Sequence, residues 1–131
     1  MSDLKELSGR VLRDLSMGMK ETPAITFSAP DGEGYVEVLL QEKSGMGVGF
    51  TVNPSAPEVE ILFEMAYRIP DAYVEMYAVG LPVVPGTERP ATPKILADAV
   101  VWEDPNANGT WSCVIGQYEH AWKHWREGRH S

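Results

Sequence analysis

Turn-forming residues divide the chain into short segments, and the spacing of apolar residues changes from one segment to the next. Three segments, near both ends and in the middle, repeat apolar residues at helical spacing, whereas shorter segments alternate apolar and polar residues as strands do. The predicted order is helix, three strands, helix, two strands, helix. This order favours an α+β fold in which helices pack on one face of an antiparallel sheet of about five strands.

Length and composition indicate a globular domain. The 131 residues fit a single α+β domain over residues 1–131, and 44% of them are hydrophobic, enough for a core. The N-terminal segment lacks the apolar core of a signal peptide, and the apolar runs are too short to span a membrane. A single cysteine, Cys113, excludes an internal disulfide, so we expect a cytoplasmic protein.

The first helix is predicted over residues 3–19, with Asp3 as its N-cap and Gly18 at its end. Glu6 would complete a capping box with Asp3. The last helix is predicted over residues 117–126 and is expected to end at Gly128. Between them, five strands are predicted from alternation and from the intervening turns. They cover residues 25–29, 35–41, 46–52, 94–102 and 111–115.

Residues 55–79 are compatible with a helix or with a strand. Length and a capping signal, Ser55 with Glu58 three residues later, favour the helix. Pro70 should kink or break it, and Asp71 would then start a second helical piece. The alternating apolar residues that would suit a strand are Val59, Ile61, Phe63, Met65 and Tyr67.

Negative charge is concentrated in the middle of the chain. Residues 31–80 hold nine acidic and two basic residues, a balance of −7 within a formal net charge of −8. Phosphate contacts need a cationic surface, so neither direct nucleic-acid binding nor attachment to an anionic membrane is expected. The charge either attracts a basic protein partner or serves solubility alone. The acids that would form a ridge on the second helix are Glu58, Glu60, Glu64, Asp71 and Glu75.

All four tryptophans and all three histidines lie in the last 30 residues. Trp122 and Trp125, three residues apart on the last helix, either dock on the sheet as core or anchor a partner. His120 and His124 share a helix face and could hold one metal ion with Cys113 or Glu119. A third ligand at a characteristic spacing is missing, so neither a metal nor another cofactor is expected. Cys113 is expected to be a buried apolar group.

Three stretches carry a resemblance: SAPEVEILFEMAYRIPDAYVEMYAVGLP, the proline-rich VPGTERPATP, and AVVWEDPNANGTW. Their layout resembles that of uncharacterised small proteins of high-GC actinobacteria and their phages. In those proteins the proline-rich stretch often carries Cys and His, which VPGTERPATP lacks. The resemblance covers about half of the chain and implies no function. The order of elements is also similar to that of small acidic type III secretion chaperones.

These observations lead to three functional hypotheses. The first is a non-enzymatic acidic protein–protein interaction module, such as an immunity protein or a phage-encoded inhibitor of a basic or nucleic-acid-processing partner. The second is a phage structural component or a small homodimeric chaperone. The third is a metal-dependent enzyme. In the first, the residues expected to bind the partner are Glu58, Glu60, Glu64, Asp71, Glu75, Trp122 and Trp125.

Overall fold

The computed structural model describes residues 3–17, 19–106 and 111–129. For residues 128 and 129 it describes the backbone only. Within these ranges three helices and six strands form an α+β fold. The helices are α1 (Leu4–Ser16), α2 (Glu58–Tyr77) and α3 (Tyr118–Arg129). The strands are β1 (Ala24–Phe27), β2 (Val36–Gln41), β3 (Gly47–Val52), β4 (Thr92–Leu96), β5 (Ala99–Glu103) and β6 (Ser112–Val114).

The strands form two antiparallel sheets of three, ordered β1-β2-β3 and β4-β5-β6. The α+β class is therefore confirmed, but the single sheet of about five strands is wrong. Residues 94–102, predicted as one strand, belong instead to the β4–β5 hairpin, in which Leu96 pairs with Ala99. The chain reverses at Ala97, whose φ of 56° is uncommon for alanine. Asp98 is a turn-forming residue, but without a glycine or asparagine beside it this signal is too weak to divide the predicted strand.

Helix α2 is one continuous helix of 20 residues that runs through Pro70, so the expected break there is wrong. Proline removes one helical hydrogen bond, but its neighbours Ile69 and Ala72 are buried in the core and hold both halves of the helix. Ser55 is not the N-cap. Its N–H donates to Asn53 Oδ1 at 2.9 Å, and Pro57 occupies the cap position without a side-chain hydrogen bond.

The start of α1 agrees with the prediction, whereas the C-terminal ends of α1 and α3 depart from it. The Asp3 carboxylate does cap α1, accepting hydrogen bonds from the N–H groups of Lys5 and Glu6 at 3.1 and 3.2 Å. The Glu6 carboxylate accepts a hydrogen bond from Arg10 Nε at 2.7 Å. Helix α1 ends at Ser16, before Gly18, which lies outside the described residues. Helix α3 continues past Gly128 to Arg129, so the expected end is wrong.

The first sheet follows its sequence pattern closely. Alternate residues of β2 are buried, and Gly47 and Gly49 of β3 leave room for a neighbouring side chain. That neighbour is Leu39, whose Cδ1 lies 3.4 Å from where a Cβ on Gly47 would stand and 3.8 Å from one on Gly49. Gly45 lies outside the strand, in the preceding turn, with a φ of 97°.

Helix α2 is central to the packing. It contacts α1 and strands of both sheets, β3, β4 and β5. Buried side chains of α1, α2, β3 and β5 belong to one hydrophobic cluster, which includes the fully buried Trp102. Because both sheets pack on the same helix, α2 holds them together. No helix in the described part of the chain combines the length and apolar character needed to cross a membrane.

Candidate functional site

The outward face of α2 carries a row of carboxylates. At 3.6 residues per turn, four of the five predicted acids fall within about 60° of the helix circumference, opposite the buried side. We call Glu60, Glu64, Asp71 and Glu75 the acidic row. Glu58 does not belong to it, because helical spacing places Glu58 at least about 100° away from each of these four, and it lines a separate pocket with Arg10 and Asp98.

One basic residue interrupts the acidic row. Arg68 Nε donates a hydrogen bond to Glu64 Oε1 at 2.8 Å, and the guanidinium lies 5.9 Å from the centre of the Tyr67 ring. The charge of Glu64 is therefore largely offset. The salt bridges between described residues do not include Glu60, Asp71 or Glu75, so these three carboxylates keep their charge available to solvent or to a partner.

An apolar groove runs beside the acidic row, between α2 and residues 80–93, which we call the proline segment. Its volume is about 310 Å³. From α2 it is lined by Phe63, Tyr67, Pro70 and Val74, and Asp71 of the acidic row is also part of this wall. Tyr67 and Val74 are each 51% exposed, an unusual exposure for two apolar side chains of one wall. The opposite wall includes Leu81, Pro90 and Pro93.

The proline segment is fixed to the rest of the fold. Arg89 forms a two-pronged ion pair with Asp104, at 2.7 and 3.3 Å, which ties the segment to the end of β5. The hydrogen bonds to Asp104 lower the pKa of its carboxyl, with Arg89 as the main cause. The Tyr118 hydroxyl at the start of α3 donates to the carbonyl of Val83. The second wall of the groove is therefore held from two directions.

Trp122 and Trp125 stack on each other, with ring centres 5.2 Å apart, and both are half-buried. The Trp125 ring also packs on Gly86 of the proline segment, so closely that a Cβ on Gly86 would lie 2.5 Å from Trp125 Cζ2. Neither tryptophan lines the apolar groove. The structure thus places this pair against the outer part of the proline segment and does not join it to the acidic row.

The predicted metal-binding candidates do not converge. His120, His124 and Glu119 are exposed on α3, whereas Cys113 is half-buried on β6. Among residues with described side chains, no three of His, Cys, Asp and Glu come together; His130 lies outside that set. Arg13 and Lys123 line the same shallow depression as His120, and their charges would repel a cation there.

Sequence reasoning missed a buried carboxylate. Asp14 of α1, 1% exposed, accepts hydrogen bonds from Trp102 Nε1 and the Gly116 N–H, both at 2.7 Å, and from the Tyr118 N–H at 3.2 Å. We call these four residues the carboxylate junction, since they join α1, β5 and the start of α3. Desolvation by burial raises the pKa of Asp14, and the hydrogen bonds oppose that shift. The signal lay in the helical spacing, which places Asp14 on the same face as the buried Leu7 and Val11.

Comparison of the chain with protein families, with curated proteins and with solved structures found no match. The resemblance to small actinobacterial and phage proteins therefore stays a prediction. The acidic row and the apolar groove are the features of the molecule on which a function can be argued.

Proposed function

We propose that the protein is a non-enzymatic binding module that uses the acidic row of α2 to engage a basic protein partner. The observation that supports this is the alignment of Glu60, Asp71 and Glu75 on one exposed helix face without salt bridges to other described residues. Like charges held close together on a helix destabilise it slightly. Asp71 and Glu75, four residues apart, have no salt bridge to a described residue that would offset this repulsion, which is consistent with a role in recognition.

The geometry suits a cationic cleft. From Glu60 to Glu75 the acidic row spans about 22 Å along α2, at 1.5 Å per residue. The helix is buried on its other side, so the carboxylates stand on a rigid support. A row of this kind speeds association by electrostatic steering and selects against acidic partners. An immunity protein or an inhibitor of a nucleic-acid-processing enzyme would work in this way, with the acidic row occupying the partner's phosphate-binding surface.

The states of two other ionisable groups, Cys113 and Asp14, favour a binding function over a catalytic one. Burial raises the pKa of the Cys113 thiol to about 12, so the thiol stays protonated at neutral pH and is a poor nucleophile. The Asp14 carboxylate is enclosed by the three donors of the carboxylate junction. Neither group lines the apolar groove beside the acidic row.

The test compares two double variants with the same change in net charge. Glu60→Lys with Glu75→Lys alters the acidic row, whereas Glu33→Lys with Glu127→Lys alters exposed acids elsewhere. Each protein is immobilised and exposed to an extract of the source organism, and retained proteins are identified by mass spectrometry. We expect a basic protein that the wild type and the control variant retain and the row variant loses.

The captured protein is then purified and its association rate is measured against salt concentration. We expect the row variant to associate about 10-fold more slowly at low salt, with a weaker salt dependence than the wild type. The proposal fails if the control and row variants retain the same proteins. It also fails if the association rate is unchanged by salt and by the substitutions in the row.

A further inference from the structure

The apolar groove has the form of an anchor site next to a charged surface. Its volume of about 310 Å³ falls at the lower end of ligand-binding pockets and can hold one or two side chains. The Phe63 and Tyr67 rings, 6.5 Å apart and nearly parallel, form one side of it. Val74 continues that side about two turns beyond Tyr67 along α2. Single exposed apolar side chains are ordinary on a protein surface, but a concave cluster of them indicates an interaction site.

The negative charge beside the apolar groove determines which kind of partner segment the groove favours. Asp71 lines the groove and belongs to the acidic row, and Glu75 of the same row lies about one turn after it on the helix. A segment lying in the groove is therefore in contact with negative charge, and lysine or arginine residues flanking its apolar anchor would be favoured. Arg68 is engaged by Glu64, so it opposes such a segment little.

A second copy of this chain fits the groove poorly. Two copies meeting through this face would bring their acidic rows together, and like charges across an interface are strongly unfavourable. A small polar metabolite also fits poorly, because the lining is almost entirely apolar. A basic polypeptide satisfies both the apolar lining and the adjacent carboxylates.

From this complementarity we infer that the apolar groove binds a leucine-sized or phenylalanine-sized side chain of a partner segment whose neighbouring residues are lysine or arginine. The inference rests on the proposed function and adds the chemistry of the recognised segment. The acidic row supplies the long-range attraction, whereas the groove supplies selectivity for the anchor. Burial of leucine in place of alanine favours binding by about 10-fold or more.

The probes are synthetic peptides with two lysines on each side of one central residue, which is leucine, phenylalanine, alanine or aspartate. Each is titrated into isotope-labelled protein, and amide chemical shifts give both the dissociation constant and the site. We expect the leucine and phenylalanine peptides to bind about 10-fold more tightly than the alanine peptide. The shifted signals should come from Tyr67, Val74 and Thr92.

Matched substitutions locate the effect. Val74→Gln is compared with Val114→Gln, because Val74 and Val114 are 51% and 50% exposed and only Val74 lines the groove. We expect Val74→Gln to remove the preference for leucine over alanine and Val114→Gln to preserve it. The melting temperature of both variants should match the wild type, since both side chains are exposed.

The outcomes separate the two proposals. If the row variant weakens all the lysine peptides equally while none distinguishes leucine from alanine, the groove inference is overturned and the acidic row stands. If leucine binds in the groove regardless of salt and of Glu60→Lys with Glu75→Lys, the flanking-charge part of the inference and the proposed function are both overturned. Light scattering that shows a stable dimer disrupted by Val74→Gln would overturn the inference in favour of a second copy.

Discussion

The carboxylate junction and the acidic row use the same chemical group in opposite ways. Asp14 is buried, and each of its oxygens accepts hydrogen bonds from within the chain. Glu60 and Glu75 are exposed and form no salt bridge to a described residue. A carboxylate whose partners are internal contributes to stability, whereas one without internal partners is available for recognition. Substitutions in the two regions should therefore change different properties.

The largest expected effect is on the junction. Asp14→Ala leaves three donors without an acceptor, two of them buried, and we expect it to lower the free energy of unfolding by about 3 kcal/mol or more. Asp3→Ala, which removes only the exposed cap of α1, should lower it by about 1 kcal/mol. Urea denaturation measures both values. Equal losses for the two variants would contradict the structural role assigned to Asp14.

A second prediction concerns the contact between the tryptophan pair and Gly86 of the proline segment. Gly86 has a φ of 79°, and a side chain there would collide with Trp125, so Gly86→Ala should destabilise the protein by about 2–3 kcal/mol and alter tryptophan fluorescence. The matched control is Gly34→Ala, with a φ of 87° and open space around it. It should lower stability by only about 1 kcal/mol, from backbone strain. If both variants lose the same stability, the contact between the Trp125 ring and Gly86 does not contribute to stability, which would favour a role of the tryptophan pair in partner binding.

The smallest expected effect is a pH dependence with opposite signs at two aspartates. Because burial raises the pKa of Asp14, the folded state holds that proton more tightly than the unfolded state. The contribution of Asp14 to stability, taken as wild type minus Asp14→Asn, should therefore fall as pH rises from about 4 through the folded-state pKa.

Asp104 is the internal control for that measurement. Its pKa is lowered, chiefly by the hydrogen bond from Arg89, so its contribution is present above the unfolded-state pKa and is lost as pH falls. Wild type minus Asp104→Asn should therefore rise with pH below about 4 and stay level above it, in the range where the Asp14 difference falls. Chemical denaturation at several pH values measures both slopes, and slopes of the same sign would refute the assignment of the Asp14 pKa.

The comparison also shows which features could be derived from the sequence. The α+β class, the Asp3 cap and the acidic row follow from local spacing, which needs only helical or strand geometry. The β4–β5 reversal at Ala97 and the continuity of α2 through Pro70 depend on packing that overrides local preference. The carboxylate junction joins residues 88 to 104 positions apart, and the groove depends on where the proline segment docks. Neither long-range arrangement leaves a spacing that can be recognised in one sequence.

The anchoring of the proline segment has a consequence for how the groove would fill. The Arg89–Asp104 pair and the Tyr118 hydroxyl fix one wall, and α2 fixes the other, before any occupant arrives. A partner segment would lose conformational entropy on binding, but the groove itself would not have to become ordered. Binding should therefore show a single kinetic phase. Differences in affinity among related segments should lie mainly in their dissociation rates.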